Sequence, residues 1–205
     1  MTMTEVAPGT RARTATQLRA LFVVYLALLV WVVLWKLEAP WDAEPGGRIV
    51  KLVPFVATSG AGASTPFDVV ANLLLFLPFG LYLGLLAPAW RWWKVAGAAA
   101  TVSVALELMQ YVLAVGSSDL TDVVVNTAGA VTGLGLLAVT RRRLRTRTAT
   151  VMTRACAIGT VLAVLASVVV VASPLRYGPP RDVRCTTIAG SVRCGPPGEL
   201  TRPGG

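Results

Sequence analysis

The sequence predicts an all-α protein, a polytopic helical bundle that crosses a membrane about five times. Hydrophobic residues make up 55% of the 205 residues and charged residues only 14%, and the mean hydropathy is +0.66. A helix needs roughly 20 mostly apolar residues to cross a bilayer, and such runs recur along the chain. The predicted spans are residues 18–35, 68–87, 95–115, 119–139 and 155–173.

The basic residues lie beside these spans and predict the orientation of the bundle. A net charge of +9 can indicate nucleic-acid binding, but the sequence has no soluble module that interleaves basic and aromatic residues, so we expect no nucleic-acid partner. Residues 1–19, the 88–94 turn and the 141–154 loop carry 3, 2 and 6 Lys or Arg. Because cytoplasmic loops are rich in Lys and Arg, we expect a cytoplasmic N-terminus and an external C-terminus.

Domain bounds follow from this topology. We expect residues 1–17 to form a disordered cytoplasmic arm, residues 18–173 the transmembrane domain, and residues 174–205 an external tail rich in Pro, Gly and Arg. The first apolar run is long and no small-residue cleavage site follows it, so we interpret it as an uncleaved span. Residues 49–55 are too few to cross a bilayer and should lie in the interface or dip in beside the helices.

Two of the spans carry signals for bending or packing. Pro78, followed by Gly80, should kink the second span. In the fourth span, Gly129, Gly133 and Gly135 form a small-residue face that favours close approach of another helix.

Polar residues concentrate where the third and fourth spans meet. On a helix, residues three or four apart share a face, and the acids and amides on both sides of a short turn at residues 116–118 have this spacing. Ionisable groups inside a membrane are costly, which makes them functional candidates. The topology brings them to the external side, so we expect a polar pocket in the outer half of the membrane. Its predicted members are Lys51, Asn72, Glu107, Gln110, Asp119, Asp122 and Asn126.

Structural roles compete with this interpretation. Acids suit the first turn of a helix, so Asp68, Asp119 and Asp122 are also candidates for caps. The amides are candidates for hydrogen bonds between helices. Glu107 lies about two turns inside its span. It is the strongest functional candidate, because an ionisable group at that depth is costly to bury and is usually kept for a function. We expect Asp119 to lie nearer to water.

The sequence offers few other chemistries. It has no His, no nucleophile elbow and no Gly-rich phosphate loop, so we predict no metal site and no cofactor. A pair of carboxylates can bind a divalent cation or act as acid and base, and the spacing selects neither. We expect a binding protein rather than an enzyme.

Two of the three cysteines lie in the tail that the charge rule places outside the cell. Oxidation is permitted there, so Cys185 and Cys194 are candidates for a disulfide. Cys156 begins the fifth span on the cytoplasmic side and should remain a thiol.

Two stretches of the sequence together contain a series of short motifs in a fixed order. The first is KLVPF followed by NLLLFLPFGLYLG, and the second is ELMQYVLAVGSSDLTDVVVNTAGAVTG. An Asn before Phe-x-Pro-x-Gly, then Glu-x-x-Gln, then Asp-x-x-Asp with Asn-Thr-x-Gly, resembles the VanZ-like family of bacterial membrane proteins over about residues 49–137. The family often has Asn where this chain has Lys51, so no family role is carried over to that position. The resemblance implies motif positions at Asn72, Glu107, Gln110, Asp119, Asp122 and Asn126.

The VanZ-like family takes its name from a protein linked to low-level resistance to the glycopeptide teicoplanin. The resemblance implies a multi-pass protein of the bacterial plasma membrane. We expect it to bind an envelope lipid or glycolipid head group in the outer-leaflet pocket and to affect envelope properties or glycopeptide susceptibility, with membrane lipids or lipid-linked glycans as partners. One alternative is an enzyme acting on a lipid-linked cell-wall precursor, with Glu107 and Asp122 as acid and base or metal ligands. Another is a small transporter or scramblase with Glu107 as its proton or cation site.

Overall fold

A computed structural model of the chain describes residues 8–35, 49–51, 53–55, 65–114, 117–172, 184–188 and 191–195. One compact unit ends at Val171, and a second, from Ala172, contains the last two strands. A short 3-10 helix spans Arg145–Arg147. The helices and strands of these ranges are α1 (Pro8–Trp35), β1 (Ile49–Lys51), α2 (Pro66–Leu86), α3 (Trp92–Leu113), β2 (Ser117–Asp119), α4 (Leu120–Leu144), α5 (Thr148–Ala172), β3 (Arg184–Ile188) and β4 (Ser191–Gly195).

The apolar helices confirm an all-α membrane bundle. In the ranges that the structure describes, four helical stretches are long and apolar enough to cross a membrane. The last of them contains both α4 and α5, so the number of crossings and the sides of the two termini stay predictions. The stretches are Thr14–Trp35, Pro66–Leu86, Trp92–Leu113 and Leu120–Ala172.

The burial pattern is the reverse of that in a water-soluble protein. Large apolar side chains are exposed on every helix of the bundle, as Leu74, Leu108 and Leu162 illustrate. Polar side chains such as Ser103 and Asn126 are buried between helices. Lipid is as apolar as leucine, so an outward apolar surface is favourable only where the helices face a bilayer.

The start of α1 differs from the prediction. The helix begins at Pro8, so residues 8–17 are helical where a disordered arm was expected. Proline is common at the first helical position because its missing N–H has no partner there. The Ala, Arg, Leu and Gln residues that follow are good helix formers, which extends the helix ahead of its apolar part. Residues 1–7 lie outside the ranges that the structure describes.

α2 and α4 pack in parallel through glycines. Gly129 lies against the Leu73 carbonyl, and Gly133 lies against the Leu77 carbonyl one turn further along both helices. A Cβ atom at either glycine would overlap that carbonyl group, so only glycine permits this approach. α2 continues without interruption through Pro78.

The small-residue face predicted on the fourth span is confirmed for Gly129 and Gly133 and is wrong for Gly135. At Gly135 a Cβ atom would have no neighbour within 4 Å. The matching glycines on α2 are Gly80 and Gly84, and both are buried against α4. Gly80 and Gly84 have the same four-residue spacing as Gly129 and Gly133. That shared spacing was the signal in the sequence for a matching glycine face on α2.

α1 runs antiparallel to α2. The Tyr25 hydroxyl donates to the Leu75 carbonyl at 2.7 Å, and the Phe22 ring, earlier in α1, packs against Tyr82, later in α2, at 5.3 Å between ring centroids. The aromatic contact forms the centre of the apolar core.

α5 also runs antiparallel to α2. The Tyr82 hydroxyl is hydrogen-bonded to Thr160 Oγ1 at 2.7 Å and donates to the Cys156 carbonyl at 3.3 Å. Leu85, further along α2, faces Thr153, earlier in α5, across a shared cavity. Because α4 is parallel to α2, the chain reverses direction between α4 and α5.

The basic segments meet at one end of the bundle. Arg141, near the end of α4, donates to the Gly84 carbonyl near the end of α2 at 2.6 Å. Arg19, early in α1, lines one cavity together with Leu86 and Thr146. These basic residues therefore lie at one end of the bundle, and the assignment of the basic segments to the cytoplasmic side stays a prediction.

The opposite end carries a strand pair that was not predicted. β1 and β2 are parallel, with Ile49 opposite Ser117 and Lys51 opposite Asp119. The connection from α3 to α4 is therefore more than the short turn that we expected. Backbone N–H and C=O groups at membrane depth need partners, and the two strands supply them to each other. Phe55, in a left-handed conformation with φ of 61°, donates its N–H to Thr121 Oγ1 at 2.9 Å.

Candidate functional site

Glu107 is the central side chain of the polar residues near β2. Its Oε2 accepts a hydrogen bond from the Asp119 backbone N–H at 2.8 Å. Its backbone carbonyl accepts another from Ser118 Oγ at 2.8 Å. Glu107 is only 8% exposed, so these bonds fix the carboxyl group of α3 against β2 in a buried position.

Asp122 connects three helices at the same level. Its Oδ1 accepts a hydrogen bond from Asn72 Nδ2 at 2.7 Å, which joins α4 to α2. Its carboxyl group also lies within interaction distance of the Glu107 carboxyl group on α3. The structure thus brings Asn72, Glu107 and Asp122 into one polar cluster, although they come from three different helices.

Two of the acids cap helices, which was the structural alternative to a functional role. Asp119 is the N-cap of α4, and its Oδ1 accepts from the Thr121 N–H at 2.8 Å. Asp68 forms a capping box with Thr65 at the start of α2 and is exposed. The expectation that Asp119 lies nearer to water is wrong, because it is only 5% exposed at the end of β2.

The other two amides join helices, as expected of interhelical polar residues. Asn126 Nδ2 donates to Ser103 Oγ at 2.8 Å, and Gln110 Nε2 donates to the Val33 carbonyl of α1 at 3.0 Å. Within the part of the chain that the structure describes, Asn126 Oδ1 and Gln110 Oε1 are buried acceptors without a donor. A buried polar atom without a partner costs about 1–3 kcal/mol, so each is a position where a ligand donor would be stabilising.

The structure describes only the backbone of Lys51. The β1–β2 register sets it opposite Asp119, and its side chain lies outside what the structure describes. A role for Lys51 in the site therefore stays a prediction.

Several polar residues of the site escaped the sequence analysis. Ser103 lies one turn before Glu107 on the same buried face of α3, and that spacing was the available signal. Ser118 and Thr121 belong to a segment that was interpreted as a turn and a helix start. Over the described ranges, no three His, Cys, Asp or Glu side chains are grouped so that they could hold a metal ion.

The two tail cysteines face each other across a strand pair. β3 and β4 are antiparallel, and their register sets Cys185 opposite Cys194. Opposite residues of an antiparallel pair have Cα atoms about 4.5–5.5 Å apart, within the range that a disulfide spans. The structure does not describe the side chains here, so the disulfide stays a prediction.

Thiol labelling tests that disulfide. We expect a maleimide to label only Cys156 in unreduced, denatured protein, because an oxidised Cys185–Cys194 pair has no thiol to react. Reduction before labelling should raise the count from one to three per chain. Three labels without reductant would contradict the disulfide. In the variant Cys185→Ser, Cys194 loses its partner, so the count without reductant should rise from one to two.

Comparison with known proteins covers the polar cluster and most of the bundle. The chain is 29% identical to protein VanZ of Enterococcus faecium over 130 residues, which are 62% of this chain and 76% of that protein. No solved structure is significantly similar to the chain. The VanZ/LLP1 family model matches residues 22–141, more than half of the sequence, with α2, α3, β1, β2 and nearly all of α4 inside the match. This chain, a multi-pass membrane protein by its apolar helices, therefore belongs to the VanZ/LLP1 family.

Proposed function

We propose that this protein lies in the bacterial plasma membrane and binds the head group of an envelope lipid or glycolipid at the polar cluster. Binding there would alter the envelope and, with it, susceptibility to glycopeptide antibiotics. The link of the VanZ-like family to teicoplanin resistance supports the second part. The first part rests on the chemistry of the polar cluster.

The observation that carries the proposal is a surplus of hydrogen-bond acceptors. Glu107 and Asp122 contribute carboxyl oxygens, while Asn126 Oδ1 and Gln110 Oε1 are buried without a donor among the described residues. A ligand that suits these atoms must bring several donors. Sugar hydroxyls and amines do so, and both occur in the head groups of glycolipids and aminated lipids.

The position of the polar cluster also suits a lipid head group. It lies at the ends of α3 and the starts of α2 and α4, beside the β1–β2 pair. Helix ends in a membrane bundle lie near the head groups, where polar atoms of protein and lipid meet. By the positive-inside rule this end faces the exterior, so the ligand would come from the outer leaflet.

One observation favours an enzyme as the second candidate. The Glu107 and Asp122 carboxyl groups lie close enough to interact, and two neighbouring carboxyl groups are what acid and base catalysis on a lipid-linked precursor requires. Product formation from such a precursor would distinguish an enzyme from a binding protein, which returns its ligand unchanged.

Native lipid identification tests the proposed function. We expect a glycolipid or aminated lipid to copurify with the wild-type protein in mild detergent, enriched relative to the source membrane. The variant Asp122→Asn should lose this enrichment, because an NH2 donor replaces one of the acceptor oxygens. Asp68→Asn is the matched control, since it alters an exposed carboxylate that caps α2 and accepts no hydrogen bond from the polar cluster among those that the structure shows, and it should keep the enrichment. A lipid profile of the wild type equal to that of the source membrane would contradict the proposal.

A further inference from the structure

Two cavities follow each other along the cleft between α5 and the α1–α2 pair. The first has a volume of about 370 Å³ and extends beside Tyr82 and Gly159 in the middle of the helices. The second, of about 520 Å³, extends beside Arg19 and Thr150 at the basic end. Both share the same three helices, and both lie apart from the polar cluster near β2.

The first cavity exists because α5 presents small residues to α2. Ala155, Gly159 and Ala163 recur once per turn along the cavity wall. A Cβ atom at Gly159 would find no neighbour within 4 Å, so the missing side chains leave real space. The other wall is almost entirely apolar, with Leu28, Leu74 and similar side chains. An apolar cavity at membrane depth holds too few polar partners for water, and an acyl chain is the surrounding molecule that fits it.

The second cavity has the opposite chemistry. Its lining includes Arg19 and the threonines Thr14, Thr146, Thr150 and Thr153. A guanidinium group and hydroxyl groups are donors suited to phosphate oxygens. Thr146 belongs to the exposed, arginine-rich connection between α4 and α5, where each cationic side chain near a membrane surface attracts anionic lipid by about 1 kcal/mol.

We propose that this cleft binds one anionic phospholipid, with its phosphate at Arg19 and one acyl chain beside Gly159. Charge complementarity at the basic end and an apolar cavity continuing from it along the same helices together select this occupant. The site lies at the end of the bundle opposite the polar cluster, so it is independent of the proposed head group site. By the positive-inside rule it faces the inner leaflet.

The test is lipid binding to the full-length protein in detergent by native mass spectrometry, with phosphatidylglycerol and phosphatidylcholine as probes. We expect the wild type to retain phosphatidylglycerol preferentially. Gly159→Leu should lower its affinity at least about tenfold by filling the space of the acyl chain, and Arg19→Gln should lower it about fivefold and remove the preference over phosphatidylcholine. Ala163→Leu is a second filling variant, in case Gly159→Leu does not fold.

Two matched control variants test whether the loss of binding is specific to the cleft. Gly135→Leu adds the same side chain to α4 where a Cβ atom has no neighbour within 4 Å, and Arg142→Gln removes an exposed arginine that does not line the second cavity. Both should bind phosphatidylglycerol as the wild type does. Equal retention of the two lipids by the wild type would overturn the proposal. So would unchanged binding in folded Gly159→Leu or Ala163→Leu, or an equal loss in the controls.

Discussion

The substitution Glu107→Gln is expected to weaken head group binding strongly and to remove any effect on teicoplanin susceptibility while leaving the bundle folded. Glutamine keeps the size of the side chain, and its Oε1 can still accept the Asp119 N–H that now bonds Oε2. What it removes is an ionisable group and one acceptor oxygen, which an NH2 donor replaces. A buried ligand donor that loses its acceptor costs about 1–3 kcal/mol, so we expect binding to weaken about 5- to 100-fold.

The measurement is the inhibitory concentration of teicoplanin for cells that express each variant, with protein level and thermal unfolding in detergent measured beside it. Asp122→Asn should behave like Glu107→Gln. Asp119→Asn should have a smaller effect, because asparagine also caps helices well. Asp68→Asn, the exposed control, should match the wild type in all three measurements. Unchanged susceptibility in both Glu107→Gln and Asp122→Asn would show that the polar cluster serves only to pack the helices.

The second large effect is expected at the α2–α4 contact. In Gly133→Ala the new Cβ atom would overlap the Leu77 carbonyl group, and a backbone atom cannot turn aside as a side chain can. The two helices must therefore separate. Overpacking of this kind costs about 1–3 kcal/mol of the free energy of unfolding, occasionally more. A lower unfolding temperature in detergent, with loss of folded protein in the membrane, would report it.

Gly135→Ala is the matched control, two positions along the same helix. Its Cβ atom would meet nothing within 4 Å, and alanine favours a helix over glycine by about 0.5–1 kcal/mol. We expect its stability to equal or slightly exceed that of the wild type. Equal destabilisation by both variants would show that the helix tolerates no change there and would contradict close backbone packing as the cause at Gly133.

The sequence by itself determined the membrane class, the helices and the candidate polar residues of this protein. These features depend on local quantities, namely the length of each apolar run and the spacing of polar groups on one helix. The motif order from Asn72 to Asn126 was likewise sufficient to indicate the family. The start of α1 was missed because helix propensity continues beyond the apolar run that marks a span.

Only the tertiary structure decided which of these residues meet. Asn72 pairs with Asp122 and Gln110 with Val33 across helices far apart in sequence, and β1 pairs with β2 across two helices. Such partners depend on how the helices cross, which no local period encodes. The crossing in turn depends on glycines whose neighbours are backbone atoms of another helix, as at Gly133, while Gly135 has the same residue type and no such neighbour.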